Sequence, residues 1–131
     1  MTPTVSRAAA LAWRMQRQML DRAGTGGVAQ VAERLAGVQA QVPSSAELAV
    51  RLRLADAPAG IVATALAEGS VIRTWAMRGT LHVLEPRQGA DLLAIIAAAA
   101  PWKRPAWVRA FGLDPAGIER LRVAVTEALD G

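Results

Sequence analysis

Two glutamines separated by one alanine, Gln39-Ala40-Gln41, are the side chains of this sequence best suited to chemistry. The sequence has no glycine-rich phosphate loop followed by lysine, no carboxylates paired at helical spacing, and no serine in a strand-turn-helix setting. A glutamine is not a strong base, but its amide both accepts and donates hydrogen bonds. The pair therefore suits chemistry in which a water molecule must be oriented.

The surroundings of the glutamines allow two conformations. Helical spacing from Val28 places Gln39 on the same apolar stripe, where a polar amide must find hydrogen bonds or line a cleft. Pro43 disfavours helical geometry in the residue before it, so we expect this helix to end near Ala40 or Gln41. If the chain is extended there, the two side chains converge on one side. The alternative is that they satisfy carbonyl groups at a helix end.

Residues 71–84 differ from the Ala- and Leu-rich remainder of the chain. β-Branched and aromatic residues gather there around Gly79, which predicts two strands joined by a tight turn. The stretch also holds the only histidine, His82, and two arginines, Arg73 and Arg78. Because an isolated hairpin is unstable in water, we expect helices to supply the surface on which it packs.

Apolar spacing and capping residues predict the helices around this hairpin. Ser6 is expected to cap a first helix ending near Asp21, and Ser44-x-x-Glu47 to form a capping box for the third. The predicted helices cover about residues 7–21, 28–41, 45–55, 59–68, 86–100 and 115–130, with 101–113 irregular. Several helices followed by a two-stranded wing predict a mostly α fold with a small β-hairpin, a winged helix-turn-helix unit.

Composition limits the function further. The 131 residues carry a net charge of +4, from 15 basic and 11 acidic groups, and most of the basic groups are arginines, which suit contacts to phosphate or guanine. An arginine-rich composition bias is the alternative. The absence of cysteine and the single histidine exclude the common metal clusters. We expect no metal, no cofactor, no signal peptide and no membrane span, and a cytoplasmic location.

Two segments resemble one known family. Residues 38–41 (VQAQ) and 73–82 (RTWAMRGTLH) are similar to segments of the tandem winged-helix DNA glycosylases, the AlkZ- and YcaQ-like proteins. The resemblance extends over essentially the whole chain. It implies an enzyme that excises alkylated purines and unhooks interstrand DNA cross-links. Members of the family are longer and carry further winged-helix units, which would follow where this chain stops.

The resemblance implies that Gln39 and Gln41 are the catalytic residues. Cleavage of an N-glycosidic bond passes through an oxocarbenium-like sugar to which water adds. Two amides can orient that water and stabilise developing charge. A purine alkylated on N7 is already cationic and leaves readily, so neither a general acid nor a strong base is essential.

The hairpin supplies the candidates for DNA contact. Arg73, Arg78, Thr80 and His82 are expected to touch phosphates or a groove, with Arg78 the strongest candidate because it lies at the turn. His82 is equally compatible with a structural role. The apolar residues of the hairpin are expected in the core rather than at DNA; they are Trp75, Met77 and Leu81.

These observations lead to a main hypothesis and an alternative. Residues 1–100 are predicted to be a DNA-binding winged-helix unit of a glycosylase, and 101–131 a linker and helix leading to a further unit. The expected partner is double-stranded DNA, alkylated or cross-linked. The alternative is a non-catalytic DNA-binding module or an inactive fragment of such an enzyme. The apolar stripe of the last helix would then pack on further domains, fold back, or mediate self-association through 114–130.

Overall fold

The computed structural model describes residues 4–130. Its elements are α1 Arg7–Arg17, α2 Val28–Leu35, β1 Val38–Gln39, α3 Pro43–Arg51, α4 Ile61–Ala67, β2 Ile72–Ala76, β3 Thr80–Leu84, α5 Pro86–Ala99, α6 Pro105–Phe111 and α7 Pro115–Asp130. Short 3₁₀ turns lie at Met77–Gly79 and Pro101–Lys103. The chain divides into two compact units between Leu92 and Leu93, inside α5. That division precedes the boundary predicted at residue 100, and the assignment of 101–131 stays a prediction.

The first unit has the winged-helix order of elements, α2-β1-α3-α4-β2-β3, which confirms the predicted fold. The three strands form an antiparallel sheet with β3 in the centre and β1 and β2 at its edges. The sequence predicted only the hairpin of β2 and β3. The additional strand, β1, lies where the second helix was expected to continue.

The early end of α2 makes room for β1. Ala36 adopts the left-handed conformation at φ 56° and ends the helix after Leu35. Gly37 follows at φ 111°, and a Cβ there would lie 2.6 Å from Cδ2 of Leu84. Only glycine combines that backbone angle with so close an approach. The predicted end at Ala40 or Gln41 is therefore wrong.

Small aliphatic side chains form the core of the first unit. Each helix from α2 to α4 and two of the strands contribute to it; its buried members include Val31, Ala32, Val38, Ala46, Val50, Val62, Ala65 and Val83. In α3 the buried residues are Ala46 and Val50. The apolar spacing of this helix predicts Leu48 and Leu52 on its inward face, and that prediction is wrong, because they are 59% and 62% exposed.

Glu47 links α3 to α4. The predicted capping box is wrong, since α3 begins at Pro43, whose fixed φ suits the first turn. The Glu47 carboxylate instead accepts hydrogen bonds from the backbone N–H groups of Gly60, Ile61 and Val62, at 2.7, 3.2 and 3.1 Å. It therefore supplies the N-terminal cap of α4, whose own N-cap residue Gly60 has no side chain.

The first helix is held mainly at its C-terminal end. It runs from the predicted cap Ser6 only to Arg17, not to Asp21, and none of its residues is buried. The Arg53 guanidinium donates to the carbonyl oxygens of Gln18 and Ala49, at 2.9 and 2.6 Å. Burial lowers the pKa of Arg53, and these hydrogen bonds compensate the buried charge.

The second unit contains one helix that the sequence did not predict. Pro105–Phe111 forms α6 within the stretch expected to be irregular, and the rings of Trp107 and Phe111 lie 4.5 Å apart on successive turns. The final helix begins at Pro115 as predicted, with Asp114 accepting from the N–H of Gly117 at 2.6 Å. Leu121 and Val125 of its apolar stripe are exposed. Among residues 4–130, no helix has the length and apolar character needed to cross a membrane.

The capping role of Glu47 predicts a measurable contribution to stability. Replacing Glu47 with alanine leaves three N–H groups of α4 without acceptors, and we expect the free energy of unfolding to fall by about 1–2 kcal/mol. Urea denaturation followed by circular dichroism measures this change. The control is Glu68→Ala at the exposed C-terminal end of α4, where removing a negative charge costs nothing. Equal stability of Glu47→Ala and wild type would contradict the assignment.

Candidate functional site

Gln39 and Gln41 project to the same side of an extended segment. Val38 and Ala40 are buried, whereas Gln39 and Gln41 are exposed, which is the alternation of a strand. The inward helical position predicted for Gln39 is therefore wrong. The extended alternative is the observed one, and it places both amides where a bound molecule can reach them.

Gln41 is held in place by the neighbouring strand. Its Oε1 accepts a hydrogen bond from the backbone N–H of Leu81 at 3.2 Å, and the N–H of Ala40 donates to the carbonyl oxygen of Leu81 at 2.8 Å. The Gln41 side chain thus extends the β1–β3 pairing beyond the last residue of β1. With its oxygen engaged, Gln41 offers its Nε2 hydrogens to a partner.

Gln39 differs from Gln41 in the hydrogen bonding of its amide. Within residues 4–130, its side chain makes no hydrogen bond. It lies in a row across the sheet, because Gln39 pairs with His82 and His82 pairs with Thr74. Paired residues of adjacent antiparallel strands share a face, so Gln39 is a direct neighbour of His82.

His82 is mostly buried, with 8% of its surface exposed. Its Nδ1 lies 2.9 Å from the carbonyl oxygen of Thr80. Since a carbonyl only accepts, Nδ1 carries the proton in this contact. Burial leaves little of the ring for a phosphate, so the geometry favours the structural role; a DNA contact by His82 stays a prediction.

The wing presents Arg78 at its tip. Arg78 adopts a left-handed conformation at φ 56° and is exposed, and Gly79 follows at φ 75°. A non-glycine residue in this region is strained, and such strain is common at functional positions. Thr80 is half-buried beside it, with its hydroxyl donating to the carbonyl oxygen of Met77 at 3.4 Å.

Trp75 departs from the prediction for the hairpin. It is 58% exposed, so its predicted place in the core is wrong, whereas Met77 and Leu81 are half-buried. The reason is the position of β2 at the edge of the sheet, which leaves one side of its residues uncovered. An aromatic residue in a strand is usually buried, and nothing in the local pattern marks this one as an exception.

Arg73 lies apart from the glutamines. It pairs with Val83, and Val83 pairs with Val38, so Arg73 belongs to the face of the sheet opposite to Gln39. There it lines a cavity of about 290 Å³ together with Glu47. The structure therefore brings Gln39 and Gln41 to the same side of the sheet as Thr80 and His82, and Arg73 to the other side.

The arrangement can orient a small molecule but offers no metal site. Among the described residues 4–130, no three His, Cys, Asp or Glu side chains come together as metal ligands. Two exposed amides on one side, of which Gln41 is tethered to Leu81, provide acceptors and donors to a bound molecule. Such a pair can hold a water molecule against a bound substrate without changing its own protonation.

Comparison with known proteins identifies similar chains. Residues 32–131 match the family model described as DNA glycosylase AlkZ-like. The interstrand DNA cross-link repair glycosylase of Streptomyces sahachiroi is 44% identical over 120 residues, which are 92% of this chain and 32% of that protein. The solved structure of the Streptomyces sahachiroi DNA glycosylase AlkZ aligns with a TM-score of 0.90 at 41% identity, over 98% of this chain and 34% of the other. This chain therefore spans about a third of the length of these relatives.

The Gln41–Leu81 bond predicts a local change in hydrogen exchange. In Gln41→Ala the N–H of Leu81 loses its acceptor, and we expect its exchange to accelerate about fivefold, since a net hydrogen bond contributes roughly 1 kcal/mol. Exchange measured by NMR at the Leu81 amide tests this. Gln41→Glu keeps an acceptor oxygen and Gln39→Ala leaves the bond intact, so both are expected to exchange as the wild type does. An unchanged rate in Gln41→Ala would show that the bond is not formed.

Proposed function

This chain belongs to the AlkZ-like DNA glycosylase family. From that premise we propose that it is a winged-helix unit that binds double-stranded DNA. We propose further that it takes part in excising N7-alkylated purines, including those in interstrand cross-links. The observation that carries the proposal is the exposure of Gln39 and Gln41 on one side of an extended segment. The proposed reaction needs no metal and no cofactor, and the proposed location is the cytoplasm.

The charge of the substrate explains why amides suffice. Alkylation at N7 makes the purine cationic, so it departs as a neutral base when the electrons of the C1′–N9 bond move onto the ring. The sugar becomes an oxocarbenium ion, and water adds at C1′ and releases its proton to solvent. Catalysis then depends on placing the water and stabilising positive charge, and the free Oε1 of Gln39 provides an acceptor for both.

Gln41 has a different role in this proposal. Because its oxygen accepts from Leu81, the part that faces a substrate is its NH₂ group, a donor. A donor suits the phosphate or sugar oxygens of the damaged nucleotide better than it suits the cationic sugar. Gln41 therefore holds the nucleotide while Gln39 orients the water.

An exposed pair of amides also fits a cross-linked base. A base joined to both strands cannot rotate fully out of the helix into a deep pocket, unlike the substrates of base-flipping enzymes. Gln39 and Gln41 are exposed at the edge strand β1, so the chemistry can reach a nucleotide that stays near the duplex.

Contacts to the DNA backbone come from the wing in this proposal. Arg78 is an exposed cation at the tip, and Thr80 and the glutamines lie on the adjoining side of the sheet. Such contacts position a protein on the duplex without reading its sequence. Arg73 lies on the opposite face and is expected to contribute less.

A second candidate function is favoured by the small fraction of the relatives' length that this chain spans. The chain corresponds to only 32–34% of the length of these relatives. A DNA-binding module that is inactive by itself is the second candidate. The exposed stripe of α7 would then contact further domains or a second copy through 114–130.

Base release tests the catalytic proposal. We expect Gln39→Ala to slow the release of N7-methylguanine from duplex DNA by about 10²-fold, the typical effect of removing one positioned hydrogen-bonding group. Gln41→Glu keeps the tether to Leu81 but replaces the donor, and we expect a comparable loss. The assay is run with this chain and with the Streptomyces sahachiroi glycosylase in which this chain replaces the matching third.

Comparing the chain alone with the hybrid glycosylase distinguishes the two candidate functions. Release by the hybrid but not by the chain alone, with duplex binding by both, supports the module that needs further domains. Full activity of both glutamine variants in the hybrid would disprove the catalytic assignment. Unfolding of each variant by urea shows whether a loss of activity reflects a loss of structure.

Salt-dependent binding tests the wing contact. Arg78→Gly removes the cation and relieves the left-handed strain, so we expect weaker duplex binding, by about 3- to 10-fold, together with equal or higher stability. The slope of log affinity against log salt is expected to fall by about 1. Arg34→Ala, an equal charge change on the exposed end of α2, is the control and should keep the wild-type slope. A wild-type slope in Arg78→Gly would exclude the contact.

A further inference from the structure

We infer that α4 does not contact DNA, although it holds the position of the recognition helix in the winged-helix order. The DNA-contacting surface is instead the side of the sheet that carries Gln39 and Gln41, together with the wing tip at Arg78. The inference rests on the proposed function and specifies which surface of the unit the duplex approaches. Three independent features support it.

Charge is the first feature. Recognition helices of this class lie in the major groove and are flanked by cations that contact phosphates. Here the segment 54–72, which contains all of α4, has no Lys, Arg or His and carries two acidic residues, Asp56 and Glu68. The exposed residues of the helix itself are Ala63, Thr64 and Ala67, which are small and uncharged. Glu68 follows as the C-terminal cap. The cations near α4, Arg51 and Arg73, belong to other elements, so the helix itself offers a duplex no positive charge.

The N-terminal end of α4 is the second feature. A phosphate can bind at a helix N-terminus through free backbone N–H groups. In this chain the N–H groups of Gly60, Ile61 and Val62 all donate to the carboxylate of Glu47. The position that a phosphate would take is occupied by an acidic side chain of the same unit, which also repels a second anion.

The position of α4 relative to the sheet is the third feature. Val62, Ala63 and Leu66 of α4 line one cavity with Ala40, Arg73 and Val83. Those sheet residues belong to the face opposite to Gln39, because Val38 pairs with Val83 and Val83 with Arg73. A nucleotide in contact with Gln39 therefore has the sheet between it and α4.

Two variants with the same change in net charge test the inference. The double variant Thr64→Glu, Ala67→Glu adds two negative charges to the exposed face of α4, and glutamate is well accepted in a helix. Arg78→Glu changes the charge by the same amount at the wing tip. Binding of a short labelled duplex containing one N7-methylguanine is measured from low to physiological salt. Both variants are checked for wild-type circular dichroism.

We expect the α4 double variant to bind within about twofold of the wild type at physiological salt, where charges beyond about 8 Å are screened. Arg78→Glu is expected to bind at least about tenfold more weakly, with a smaller salt slope. A loss in the α4 variant as large as that in Arg78→Glu would overturn the inference and leave the proposed function intact. No duplex binding by the wild type would overturn the proposed function and the inference together.

Discussion

The pairing of β1 with β3 is the interaction on which the site depends. It joins two residues, Val38 and Gln39, to the centre of a sheet whose remaining contacts are local to the hairpin. It exists only because α2 ends at Ala36 and because Gly37 can approach Leu84 without a side chain. Through this pairing, the segment after α2 is fixed beside a hairpin that is distant in sequence. The glutamines acquire their common direction from the strand, not from their own preferences.

The sequence predicts the hairpin and the order of elements because those features produce strong local patterns. β-Branched residues around Gly79 mark the strands, and proline or glycine marks the ends of α3, α4 and α5. β1 leaves no such pattern: it is two residues long and continues the apolar spacing of α2, so a helix of 3.6-residue period describes it equally well. The positions of Glu47 and Trp75 are not predictable for a related reason. Their roles depend on a distant helix end and on an edge strand, and neither is visible in neighbouring residues.

The candidate site was predicted less completely than the fold. The resemblance pointed to Gln39 and Gln41, and the alternation of burial around them agrees with a shared, accessible side. The residues themselves could not distinguish the free amide of Gln39 from the tethered amide of Gln41, because the tether is a long-range contact to Leu81. Nor could they show that Arg73 faces away from the glutamines, since that follows from strand pairing. As the proposed catalytic groups, two amides on one side of a strand suit only a leaving group that is already activated.

Because the Gln41 side chain is bonded to Leu81, the candidate site forms only when β1 and β3 pair in the observed register. Successive residues of a strand point to opposite faces, so a shift of β1 by one residue would turn both amides into the core and bring Val38 and Ala40 to the surface. The Gln41 oxygen can reach the Leu81 N–H only in the observed register. A strand of two residues has little pairing of its own to resist such a shift. The residue proposed to hold the nucleotide, Gln41, is thus also the residue that keeps the strand in place. A sheet with shifted register would bury both amides instead of leaving them exposed in a wrong position.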